Sequence, residues 1–282
     1  MKVPPHKILA WITYKGRRIP ITERILRGAS VAPKEEAEKE LEKLVRLDIF
    51  YFPPGTKIAK RVDWAPCGLA ARKVDQVFPG VLEGVTIYPF LAGIESPVTG
   101  LTFSVPILEH SRRVCRVLRS HLDRDLSEAE LRAVLRKYGL VIGLDEQLVE
   151  VIDSPEVILT ALKEFERRAN AVDSFIDSSH IKVFVNVSVK KPFIPAAATY
   201  VKSAEDIWLH EFGHVVHSKV GRFPEWQEIY LRNRSKIKSA YGRSNMYEAF
   251  AEEFLRYVKK GKNSTGEINQ FFKQIQKEWS YY

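Results

Sequence analysis

The chain has 282 residues, of which 45% are hydrophobic and 28% charged. That composition supports a buried core and excludes intrinsic disorder, a collagen-like repeat and a small disulfide scaffold. The net charge of +9 is concentrated at the ends: residues 1–30 carry seven Lys/Arg against one Glu, and residues 219–282 carry thirteen against seven Asp/Glu. Such basic ends suit an acidic partner or an anionic surface, but no zinc knuckle or aromatic–basic RNA motif accompanies them, so a solvated basic surface is favoured over direct nucleic-acid binding. No window approaches 18 uninterrupted apolar residues, which leaves no candidate membrane-spanning helix. The apolar stretch between Lys7 and Lys15 is too short for a secretory leader. A cytoplasmic location is favoured, with non-classical export, lysis or a phage particle as routes of release. Cys67 and Cys115 form no CxxC unit and read as core residues.

In chain order, ILAWITYKGRRIPI reads as two short strands around Lys15-Gly16. PKEEAEKELEKLVRL predicts a helix with Ala37, Leu41, Leu44 and Leu47 on one face. KVDQVFPGVLEGVTIYPFLAG and GLTFSVPIL, broken by Pro and Gly, read as strands or loops. Ser127 and Glu130 have capping-box spacing ahead of Leu131, Leu135 and Tyr138. Ser154-Pro155 opens a further helix with a stripe of Ile158, Leu162, Phe165 and Ala169. In IKVFVNVSV the alternation from Ile181 to Val189 predicts a half-buried strand, and Thr199–Val201 reads as a second short strand near a sheet edge. The rest is helical. Ser203 and Asp206 introduce IWLHEFGHVVHSKV, with Gly213 inside it; EWQEIYLRNRSKI follows Pro224; then come helices marked by Met246, Phe250, Phe254 and Tyr257, and by Ile268, Phe272, Ile275 and Trp279. A seam near 145–153 divides the expected organisation into an accessory α/β region, 1–150, and a catalytic region, 151–282.

The string His210-Glu211-Phe212-Gly213-His214 carries the chemistry. One helical turn separates the two imidazoles, so both can meet one ion. Zinc accepts two histidines and a carboxylate and keeps a fourth position open. Glu211 points elsewhere on the helix and suits the role of general base toward water. His217 does not supply an extended histidine spacing, since position 220 is Val. The next acidic group lies in YEAFAEEF, where Glu248 and Glu252 share a face beside the apolar stripe. Carboxylates at that border are costly to bury unless paired or metal-bound; a zinc ligand with a supporting carboxylate explains them, and solvated surface glutamates are the alternative.

HEFGH (210–214) and YGRSNMYEAFAEEF (241–254), in that order, resemble the catalytic domain of anthrax lethal factor-like zinc metallopeptidases, gluzincins whose related domains occur in phage head-associated and polymorphic-toxin proteins. The resemblance covers about 203–258. It implies an α+β, zincin-like fold, one Zn2+ per chain held by His210, His214 and Glu248, Glu211 as general base, and Tyr241 steadying the oxyanion. From the residues alone Tyr241 competes with Tyr200, Tyr230, Tyr247 and Tyr257. Glu252 is the candidate acceptor for a hydrogen bond from a ligand histidine. The expected activity is zinc-dependent endopeptidase action on a protein or peptide, and the competing expectation is a catalytically weak zincin-fold binding or structural protein of a phage-like particle.

Overall fold

The computed structural model describes residues 8–14, 17–22, 30–31, 51–52, 65–90, 99–143, 155–173, 181–186 and 198–280. The helix expected over 33–47 lies outside them. Strands β1 (Ile8–Tyr14) and β2 (Arg17–Thr22) form the expected antiparallel pair. Two short strands, β3 (Ser30–Val31) and β4 (Tyr51–Phe52), pair likewise. Helix α1 (Ala65–Val77) then leads to β5 (Val85–Phe90) and β6 (Gly100–Phe103). The expectation of strand or loop over 73–93 and 100–108 is thus corrected at both margins: residues 73–77 close α1, and 105–108 open α2 (Val105–Leu122). Ser104 caps α2, and Pro106 sits in its first turn, where a missing N–H costs nothing.

Helix α3 (Glu128–Val134) begins with the complete reciprocal capping box of Ser127 and Glu130 and runs into a π-helical turn, Leu135–Gly139. Helix α4 spans Pro155–Asp173 and β7 spans Ile181–Asn186. The four C-terminal helices are α5 (Ala204–Val220), α6 (Phe223–Asn233), α7 (Met246–Lys260) and α8 (Gly266–Trp279). Pro224 opens α6 rather than preceding it. Gly221 and Gly261, both at positive φ, terminate α5 and α7 with left-handed caps.

The three-stranded sheet has the order β5-β7-β6, with β5 parallel and β6 antiparallel to β7. β7 is therefore central. Phe184 and Asn186 are buried along with Val183 and Val185, so the strand is covered on both faces instead of half-exposed. Thr199–Val201 forms no strand: Tyr200 N–H and the Thr199 hydroxyl both donate to Glu252.

Helix α5 lies at the centre, buried from Asp206 to Ser218. Val183 and Val185 of the sheet, Ala71 and Val74 of α1, and Phe250 and Phe254 of α7 join its Leu209, Phe212 and Val216 in one apolar cluster. That cluster takes in residues from Cys67 to Val141 and from Val183 to Ile275, so the core crosses the seam expected near 150. A smaller cluster joins α2, α3 and α4 through Cys115, Leu118, Leu131, Leu135, Ile158 and Leu162. Both cysteines are free and buried, and burial pushes the Cys115 thiol up to about 12. No helix among the described residues is long and apolar enough to cross a membrane.

Candidate metal centre

Local sequence sets both ligand-bearing helices. Ser203 caps α5 by accepting from Asp206 N–H, while Asp206 accepts from Lys202 N–H and pairs with Lys259, tying the start of α5 to α7. Asn245 caps α7 by accepting from the backbone N–H of both Tyr247 and Glu248 at 2.9 Å, which fixes Glu248 in the first turn. Gly213 permits the crossing of the two helices. A Cβ there would fall 2.9 Å from Ala251 Cα and 3.2 Å from the Phe254 ring. The helix-propensity cost of about 1 kcal/mol is offset by this close approach.

At the crossing, His210, His214 and Glu248 bring one ligand atom each to within 4.8 Å of one another. Glu248 Oε2 lies 3.0 Å from His210 Nε2 and 3.6 Å from His214 Nε2. Ligands of a tetrahedral ion with bonds of about 2.0–2.1 Å stand roughly 3.3 Å apart, and these separations bracket that value. Two imidazole nitrogens and a carboxylate oxygen are also the donor types zinc takes. The residues fit the ion.

The opposite nitrogen of His210, Nδ1, lies 3.3 Å from Glu252 Oε1. Glu252 is fully buried and accepts from the Thr199 hydroxyl at 2.6 Å and Tyr200 N–H at 2.7 Å. Burial works against its charge, yet contacts with His210, Ser239 and Thr199 hold its carboxyl below the usual range. Glu248 is half-buried, and desolvation works against its charge, but His214 and His210 keep it well below the usual carboxylate range. Glu253, next in sequence, faces elsewhere and accepts from Ser264.

Glu211 occupies a different side of α5. Its carboxylate accepts from the Thr102 hydroxyl at 2.6 Å. Burial raises its pKa, with His214, His210 and Thr102 pulling the other way. Glu211 and His210 border a pocket closed by Thr99 and Gly100 from the β6 side and by Tyr241. Val201 and Ile207 supply its apolar wall.

Tyr241 stands in a turn pinned by its own N–H and by the Ser239 hydroxyl, both donating to Ala198 O. Its ring centroid is 5.8 Å from that of His210. Burial, then the charges of Glu248 and Glu211, push its phenol well above the usual value. The other tyrosines are engaged elsewhere: Tyr200 with Ser264 and Arg256, Tyr230 with Arg243 O, Tyr247 with His110 and Ser111, Tyr257 with Gln276. His217 is buried among aromatics, stacked on Phe250 at 4.0 Å, and contributes nothing to the site.

The six sequence-derived site residues therefore meet in one place, while Gly100, Thr102 and Thr199 join them unannounced. Nothing in GLTF or TYV marks those residues, because Gly100 and Thr102 are placed by pairing with β7 and Thr199 by a carboxylate 53 residues away. Comparison with protein families, curated proteins and solved structures finds no match to the chain. The buried His-His-Glu cluster, in a mostly helical α+β domain, is a candidate metal-binding site consistent with a zincin-like arrangement.

Proposed function

We propose that the protein is a zinc-dependent endopeptidase in which His210, His214 and Glu248 hold the ion. The observation that carries this reading is the convergence of those three donors beside a separate buried carboxylate, Glu211, at the mouth of a pocket. A bound zinc supplies Lewis acidity, worth several kcal/mol of charge stabilisation at a carbonyl under attack. Glu211 takes the proton of the attacking water and passes it to the departing amine, a task suited to a carboxyl whose pKa burial has raised. The Tyr241 hydroxyl, kept protonated by its surroundings, donates to the oxygen on which negative charge builds. Glu252, 3.3 Å from His210 Nδ1, is placed to draw a proton onto that nitrogen, so that Nε2 is left to face the ion.

The substrate lies extended along β6, an edge strand of the described three-stranded sheet, adding a strand through its backbone. This replaces Thr199–Val201 as the sheet edge, since that segment's backbone is committed to Glu252. Residues 155–280 then supply ligands, base and phenol, and residues before 150 contribute α1, β5 and β6 as the wall on which they are mounted. Two measurements test the reading: zinc content of the purified chain, expected at one per chain, and peptide cleavage by Glu211→Gln. The amide cannot take a proton, so turnover falls about 10²–10⁴-fold with zinc retained. Equal cleavage by zinc-loaded wild type and E211Q overturns it.

A further inference from the structure

Helical spacing aims Glu211 but leaves its three side-chain torsions free, and a Glu side chain carries roughly 1.5–2 kcal/mol of rotamer entropy. Something other than α5 must hold the carboxylate. The register of β6 pairs Gly100 with Val185 and Thr102 with Val183, and both valines belong to the core beneath α5. Gly100 and Thr102 therefore occupy the face of β6 turned to that helix. The Thr102 hydroxyl lies 2.6 Å from Glu211 Oε2 and 3.2 Å from Glu211 O. Two residues earlier, a Cβ on Gly100 would fall 2.6 Å from Glu211 Cδ, 2.7 Å from Cγ, and closer still to Oε1. One carboxylate oxygen is held by a hydroxyl, and the remainder fills the space of a missing methyl group.

We infer that β6 is the seat of the general base: Thr102 clamps Glu211 through its hydroxyl, and Gly100 is required for the carboxylate to fit. The inference rests on the reading of Glu211 given above and adds two positioning residues to it. Thr102 touches no reacting atom and acts only through Glu211. Because the proposed substrate lies along the same edge strand of the described sheet, the depth at which a peptide backbone lies and the position of the base are set by one element. Misplacing a reacting group by about 1 Å costs on the order of 10²-fold in rate, so the seat has a kinetic consequence although it leaves the ligands alone. It also makes a chemical demand on each position. Residue 102 needs a hydroxyl on a short stem, so serine substitutes and valine, similar in shape, does not. Residue 100 tolerates no side chain.

The test uses the full-length, zinc-loaded protein and one defined peptide substrate, with Thr102→Val, Thr102→Ser and Gly100→Ala made in both the wild-type and E211Q backgrounds. Metal content is measured on every preparation, and crystal structures are determined for the 102 variants. A hydrogen bond to a charged group is worth about 1.5–3 kcal/mol, so T102V lowers kcat roughly 10–100-fold with KM little changed. T102S recovers most of the loss, and G100A loses at least as much as T102V. In the E211Q background T102V changes nothing further, because no carboxylate is left to position. The structures show Glu211 on β6 in T102S and turned away from it in T102V. Equal kcat in T102V and T102S overturns the inference, as does a T102V effect of the same size with and without Glu211. If G100A does not fold, the valine–serine pair still decides. If the zinc-loaded wild type cleaves no peptide, the peptidase reading falls, and the seat is judged separately: a Glu211 carboxylate unmoved in T102V overturns it, and a displaced one upholds it.

Discussion

The two walls of the pocket are built on different principles. On one side α5 and α7 cross at Gly213 and Ala251, and every functional group there is placed by helix periodicity and a cap: His210 and His214 by one turn, Glu248 by Asn245. On the other side β6 presents Gly100 and Thr102, placed by pairing with β7. The helical wall is closed, with the buried Glu252 held by Thr199, Tyr200 and His210. The strand wall ends in an edge strand of the described sheet. If the proposed function holds, the difference makes metal capture and catalytic competence separable here. On the reading proposed above, the helices supply the candidate His-His-Glu cluster by themselves, while the proposed base, Glu211, is held by a strand.

That separation can be broken from the helical side. Glu252→Gln weakens zinc retention roughly 10–100-fold, the range for losing an outer hydrogen-bond partner, and Glu248→Ala weakens it more than that. Dialysis against a graded chelator measures both, and equal retention by E248A and wild type removes Glu248 from the ligand set. Tyr241→Phe sharpens the comparison, since it leaves the helices and the ion untouched. Its kcat falls on the order of 10–10³-fold at constant zinc occupancy, and an unchanged kcat returns Tyr241 to packing. Gly213→Ala forces the crossing apart, because the helical backbone of Ala251 cannot yield as a flexible side chain would. Overpacking of this kind costs about 1–3 kcal/mol, read by chemical denaturation, and it loosens zinc while leaving Thr102 and Glu211 together.

The smallest effect concerns acid. His110, buried against Phe223 and Tyr247 and close to Arg113, has its pKa lowered from 6.5 to about 4, by burial first and Arg113 second. The unfolded chain therefore binds a proton that the folded chain refuses, and stability present above pH 6.5 is lost as pH falls toward 4. Melting temperature measured across that interval declines less steeply in His110→Leu than in wild type.

Much of the helical wall was legible because its signals are local. The histidine spacing, the cap at Ser203, and the apolar stripe of Met246, Phe250 and Phe254 each lie within a few turns of one helix. Helices α1 and α2 escaped notice for a physical reason. The buried stripe of α1 is Cys67, Ala70, Ala71 and Val74, correctly spaced but made of small residues, and that of α2 includes His110 and Ser111 among its apolar members. The strand reading of Thr199–Val201 followed β-propensity, which a buried carboxylate overrode by claiming the Tyr200 N–H. β7 showed its alternation, but Phe184 and Asn186 on the second face gave no hint that they too would be covered.

Chain connectivity turns the two walls into a sequence of events. His210 and Glu248 are 38 residues apart, whereas Thr102 and Glu211 are 109 apart. Closing the longer loop costs about 0.9 kcal/mol more in chain entropy, and contacts that distant form late when a chain folds. On that argument the candidate His-His-Glu cluster closes before β6 arrives beside it. On the peptidase reading proposed above, hydrolytic chemistry then waits for β6 to dock on Glu211, a timing that spares the polypeptide from its own active site while it is still unfolded.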